Sequence, residues 1–256
     1  MRDPHVVALR YRLETAETVS FDNPRPVEGE TDSFRLRLDN GKLTIELKEH
    51  FSSVDTARKP VEEYLHAWEL DVALRFGIRE IRFIYENAEV IDRNPPPPGS
   101  PQVIHLSGIS SGTAFGTATI HISRSQYPEP PELFRISPDV ETLWNRYEGY
   151  LEGREPLLSM AYFCLTVIES QAGGRKNAAK MYKISEDVFS KLGELTSAKG
   201  DERTARKFEW GSIPTPLTSA EVKWIEAAIK AIIRRVGELV STSSLPTITM
   251  SDLPKL

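Results

Sequence analysis

Along residues 5–13 (HVVALRYRL), Val7, Leu9, Tyr11 and Leu13 alternate with Ala8, Arg10 and Arg12, the two-residue period of a half-buried strand. Residues 22–32 (DNPRPVEGETD) are acidic and rich in turn formers, and read as a loop. Two alternating runs then flank Asn40-Gly41. Phe34, Leu36 and Leu38 share one face with Leu43, Ile45 and Leu47. Asn-Gly suits the positive φ angles of a type I′ turn, so a β-hairpin is predicted. The period changes at residues 60–76, where Val61, Leu65, Trp68, Val72 and Phe76 recur every three or four positions. This is a helix, with Pro60 in its first turn and Gly77 at its end. A strand follows within 78–91, with Ile81, Phe83 and Tyr85 on one face. NPPPPGSP (94–101) interrupts the pattern, as a stiff spacer or a ligand for an aromatic groove. Residues 103–106 and 114–124 read as two more strands around GISSGTAFG (108–116).

After the proline-rich stretch 127–138 the chain becomes helical. Ser137 and Pro138 open a helix whose apolar face is Val140, Leu143, Trp144, Tyr147, Tyr150 and Leu151. Residues 156–168 (PLLSMAYFCLTVI) are apolar on all sides and predict a central helix wrapped by the others, closed by Gly173-Gly174. If one chain leaves part of it bare, a second copy is the natural cover. Residues 175–199 read as helix, turn, helix, with Ser185 capping the second helix ahead of Glu186 and Asp187. The last helix begins with a capping box, Thr218 and Glu221, and runs through Val222, Ile225, Ile229, Ile232, Ile233, Val236, Leu239 and Val240. The tail from Ser241 is read as flexible, with 246–250 able to form a short docking strand.

Composition narrows the function classes. The chain has 256 residues and a net charge of −5. Residues 1–135 hold 16 Lys+Arg against 21 Asp+Glu, and residues 136–256 hold 16 of each, so neither half is strongly basic. The single cysteine, Cys164, lies in the apolar run and reads as a buried, inert thiol; no zinc site is built on repeated cysteines. The N-terminal residues carry charges through their apolar positions, unlike a signal peptide. The 13-residue apolar run falls short of the ~20 residues that span a bilayer. A reduced cytoplasmic setting without membrane, cofactor or metal is expected.

Few groups suggest chemistry. Arg35, Arg37, Lys42 and Lys48 lie on the outer face of the hairpin, and are either a phosphate-contacting surface or a solvated one. His66 lies near Glu62, Glu63 and Glu69, as a metal pair or a surface histidine. His121 shares a polar strand face with Thr117, Thr119 and Ser123, away from His105, so no catalytic pair is expected. Residues 108–116 lack the Lys-Ser/Thr ending of a phosphate loop. The segment 175–195 has the outline of a DNA-binding helix-turn-helix, with Lys180 and Lys191 as contacts, although its second helix opens on two acids. No G-x-S-x-G elbow is present.

From Trp144 to Val240 the order is a long apolar helix, a connector containing TARKF (204–208), then LTSAEVKWIEAAIKAIIRR (217–235). This order resembles the HEPN superfamily of bacterial helical domains. Many of its members cleave RNA with an Arg-x4–6-His motif just before the last helix. The resemblance implies Arg206 in the arginine's place, with Arg203 as second choice and Lys207 beside them as a further RNA or nucleotide contact. It also implies a histidine at 211–213, where Gly211-Ser212-Ile213 stands, and no histidine follows His121. The resemblance therefore implies a member without catalytic residues that dimerises or binds nucleotide or RNA; the alternative is an RNA-cleaving enzyme with a degenerate site.

The expected architecture is α+β. An N-terminal antiparallel sheet with one helix (1–126) precedes a proline-rich linker (127–137), an all-α bundle (138–240) and a flexible tail (241–256). The expected function is a non-enzymatic binding or assembly module, forming a homo-oligomer through its helices.

Overall fold

The computed structural model describes residues 3–76, 80–94, 121–200 and 215–256. The fold is α+β and divides into two compact units, Met1–Pro131 and Glu132–Leu256.

In the first unit, β1 (Pro4–Thr15), β3 (Val27–Glu30), β4 (Phe34–Asp39), β5 (Lys42–Leu47) and β6 (Ile81–Asp92) form an antiparallel sheet in the order β3-β4-β5-β1-β6. The hairpin is as predicted. Asn40 and Gly41 take φ of 49° and 71°, and Leu38 pairs with Leu43, Leu36 with Ile45 and Phe34 with Leu47. β1 departs from simple alternation. Its register slips between Val6 and Ala8, so Val6 is fully buried and Val7 is only half-buried. The inner face of the sheet packs against α1 (Val54–Phe76), with Leu9, Leu38, Ile45, Val61, Trp68 and Val72 at its centre.

Three expectations are corrected here. The supposed loop 22–32 contains β2 (Val19–Arg25) and β3. β3 was hidden because its inward residues are Val27 and Gly29, and a Cβ on Gly29 would meet Leu36 Cγ at 3.3 Å. β2 is polar and pairs through its backbone, in parallel, with β7 (Ile122–Gln126). α1 starts six residues early, because Ser53 Oγ accepts the Thr56 N–H at 3.3 Å; Pro60 then costs the helix one internal hydrogen bond. Phe76 leaves the apolar stripe and stands 41% exposed under the Arg124 guanidinium. Gly77, residues 95–101, the strand at 103–106 and the loop at 108–116 lie outside the described residues.

In the second unit, α3 (Leu157–Ala172) touches α2 (Pro138–Leu151), α4 (Arg175–Tyr182), α5 (Glu186–Ala198) and α6 (Ser219–Glu238). Leu158, Met160, Ala161, Cys164, Leu165 and Ile168 are buried. Burying each large apolar side chain of this set is worth about 1.5–3 kcal/mol. Polar bonds tie the helices at their edges. Gln171 Nε2 donates to Asp139 at 2.6 Å, Tyr182 Oη to Gln171 at 2.9 Å, and Tyr150 Oη to Glu226 at 2.6 Å. The capping box of α6 is present: Glu221 N–H donates to Thr218 Oγ1 at 3.2 Å, and Thr218 N–H to Glu221 at 2.8 Å.

The expected linker and tail are both packed. Tyr127 is buried and its Oη accepts the Gly41 N–H at 2.8 Å, while Trp68 Nε1 donates to Pro128 O at 3.2 Å. On the other unit, Phe134 is buried and Arg135 N–H donates to Gly237 O at 3.1 Å. The tail lies along the α4–α5 turn. Ile248 N–H donates to Lys183 O at 2.9 Å, Ser185 N–H donates to Ile248 O at 2.8 Å, and Leu253 is buried. Ser185 does not cap α5 with its side chain; its buried Oγ has no hydrogen-bond partner among the described residues. Leu151 and Val240, expected on apolar faces, are 39% and 55% exposed.

Candidate functional site

The central helix is not wrapped on all sides. Tyr162, Phe163 and Val167 are half-buried and Thr166 is exposed. This side of α3 meets α2 in an open groove of ≈ 680 Å³, whose lining includes Arg146, Gly149, Arg154, Glu155, Ser159 and Phe163. Sequence placed Arg146, Gly149, Ser159 and Phe163 on helices, with Arg154 and Glu155 between them, without marking them as a surface. At one end of the groove the turn between the helices folds back, the Gly149 carbonyl accepting the N–H of Arg154 at 2.8 Å and of Glu155 at 3.1 Å. Arg146 stacks its guanidinium on the Phe163 ring, 4.0 Å from the centroid, a contact worth about 0.5–1 kcal/mol at an exposed site. Its charge reaches Glu155 only at 3.5 Å. The groove thus combines an aromatic floor with two guanidinium groups, Arg146 against both oxygens of Glu155 and Arg154 paired with Glu152 at 2.5 Å.

Of the proposed RNA or nucleotide contacts, Arg203, Arg206 and Lys207 lie outside the described residues. Lys180 is exposed on α4, and Lys191 is held by Glu194 at 2.9 Å. The start of α5 presents Glu186 and Asp187 to solvent.

The hairpin face is a mosaic of charges. Arg35 pairs with Glu30 at 3.2 Å, Lys48 with Glu30 at 2.7 Å, and Arg37 with Glu28 and with Asp39 at 3.0 Å. Arg10 pairs with Glu89 at 2.9 Å, and Arg12 with Glu14 at 2.8 Å. Lys42 stands opposite Arg12 across the strands. Glu28 and Glu30 come from β3 and Glu89 from β6, which sequence did not place beside these cations; Asp39 and Glu14 come from β4 and β1 themselves. Lys48 and Arg35 together hold the Glu30 carboxyl below its ordinary range.

His66 lies 3.8 Å from Glu69 and lines an open pocket with Glu62 and Glu63. Among the described residues no three His, Cys, Asp or Glu side chains converge as a metal site. His121 is exposed and meets Ser20 Oγ at 3.0 Å across the β2–β7 pair. Cys164 is fully buried, and burial pushes its thiol up to about 12. Among the described residues no helix is long and apolar enough to cross a membrane.

Comparison of the chain with protein-family models, with curated proteins and with solved structures finds no match. Function is therefore argued from the site alone.

Proposed function

We propose that the chain is a non-enzymatic binding and assembly module that pairs with a second copy of itself through the grooved face of α2 and α3. The carrying observation is the half-bare aromatic side of the central helix, with Phe163 at its centre. A two-fold contact places the same patch on both subunits and so must be self-complementary. The patch carries both signs, Arg146 with Glu155 and Arg154 with Glu152, so each charge can exchange partners with its opposite on the second copy. A HEPN-like, dimerising helical unit in a cytoplasmic setting fits the same reading. Any RNA or nucleotide contact then falls to Arg203, Arg206 and Lys207.

Light scattering on the size-separated protein tests assembly. The expected mass is twice the 28.9 kDa of one chain, falling to one chain in Phe163→Glu with its circular dichroism unchanged. A strict monomer at every soluble concentration defeats the proposal. Incubation with labelled RNA tests the enzyme alternative: no cleavage is expected, and cleavage lost in Arg206→Ala overturns the non-enzymatic assignment.

A further inference from the structure

At the open end of β1 two imidazoles face each other. His5 Nδ1 and His50 Nδ1 are 3.2 Å apart, with ring centroids 5.0 Å apart and planes inclined by 25°. On the far side of His50, Nε2 lies 3.4 Å from Asp3 Oδ1. Backbone bonds hold all three residues in place. Val6 N–H donates to Phe51 O at 2.9 Å, which clamps the segment carrying His50 to β1. Asp3 N–H donates to Asp92 Oδ1 at 2.9 Å, and Arg93 N–H to Asp3 O at 2.9 Å. The register slip after Val6 separates His5 from the alternation that governs the rest of the strand; bulges commonly re-aim side chains in this way.

We infer that His5 and His50 form a two-imidazole site for a zinc-like divalent cation, with Asp3 orienting His50. Two nitrogens bound to one tetrahedral zinc at about 2.0–2.1 Å stand about 3.3 Å apart, close to the separation found here. The Asp3 carboxylate, 3.4 Å from His50 Nε2, favours the proton on that nitrogen and so leaves Nδ1 bare, the tautomer a ligand needs; a carboxylate behind a metal-binding imidazole is a recurrent arrangement. Without metal, His5 Nδ1–H donates to His50 Nδ1. On binding, the His5 proton moves from Nδ1 to Nε2, so the neutral ring keeps its proton. His5 is only 6% exposed. The Arg93 charge opposes a dication, and Asp3 offsets it. With two protein ligands the remaining positions fall to water on the exposed His50 side, which makes the site exchangeable. Imidazole pairs favour zinc, nickel and copper over magnesium.

Calorimetric titration of the full chain with zinc chloride tests the inference. One zinc per chain is expected, no binding with magnesium chloride, and loss of that zinc in His50→Gln. His50 is exposed, so this variant is expected to keep its circular dichroism, whereas His5→Gln disturbs buried structure. Asp3→Asn should weaken zinc by about 10- to 100-fold. Absence of saturable zinc binding, or binding unchanged in His50→Gln, overturns the site; unchanged affinity in Asp3→Asn overturns the orienting role.

Discussion

The guanidinium of Arg235, near the end of α6, donates to the carbonyl oxygen of Lys183 at 3.0 Å. It also donates to Pro246 O at 2.6 Å and pairs with Glu238 at 3.2 Å, while only 5% exposed. One cation thus holds the α4–α5 turn and the C-terminal tail. Arg235→Met keeps the stem but leaves the carboxylate and both carbonyls without their donor. The expected loss is on the order of 2–3 kcal/mol, measured by urea unfolding, with faster proteolysis around residue 246. Unchanged stability and protection would show that packing alone seats the tail.

Lys183 itself carries a left-handed backbone, φ 52°. A β-carbon is unfavourable there by roughly 1–2 kcal/mol, and both strand-like bonds to Ile248 use only backbone atoms of the turn. Lys183→Gly should therefore raise stability, by about 1 kcal/mol once its greater freedom in the unfolded chain is included. The check is a higher melting temperature with the dichroism spectrum unaltered.

Gly237 has no such freedom to give. A Cβ there would run into the Phe134 ring and lie 2.8 Å from Arg135 O. Gly237→Ala should cost about 1–3 kcal/mol by overpacking, despite alanine's better helix propensity. Measured in Phe134→Ala, the same substitution should cost less, the clash with Arg135 O remaining, and a double-mutant cycle reads the share due to the ring.

The α6 cap sets a pH dependence. Glu221 accepts the Thr218 backbone N–H and meets Lys199 at 3.2 Å, which together hold its carboxyl below the ordinary glutamate range. The folded value lies below the unfolded one, so the contribution is present above the unfolded value and is lost as pH falls through the folded value. Glu221→Gln should melt lower than the parent at neutral pH, and the two melting curves should converge in acid. A gap that stays constant down to acid pH would refute the assignment.

Much of the fold was legible where local rules act alone. Asn40-Gly41 needs only its own dihedral angles, and Thr218 with Glu221 needs only three residues. β3 was illegible because one inward position is glycine and its outward glutamates look like loop residues; they become strand-like only once Arg35 and Arg37 stand opposite. α1 was cut short because Pro60 outweighed the quieter signal of Ser53 and Thr56. The candidate groove was half legible. The all-apolar run 156–168 pointed to a covering partner, but not to which side stays bare, since that depends on where α4, α5 and α6 dock. His5 and His50 are 45 residues apart, and no spacing rule joins them before β1 and the segment after β5 are brought together.

The proline-rich stretch 127–137 behaves as two plugs. Tyr127 and Pro128 close the sheet unit, Phe134 and Arg135 close the helical one, and the boundary of the compact units falls between Pro131 and Glu132. The practical consequence concerns dissection. A gene fragment stopped at residue 126 strips Trp68 of its acceptor, and one begun at residue 138 uncovers Gly237. Fragments divided after Pro131 each retain their own seal, which makes that peptide bond the place to part the proposed cation binding from the proposed self-association.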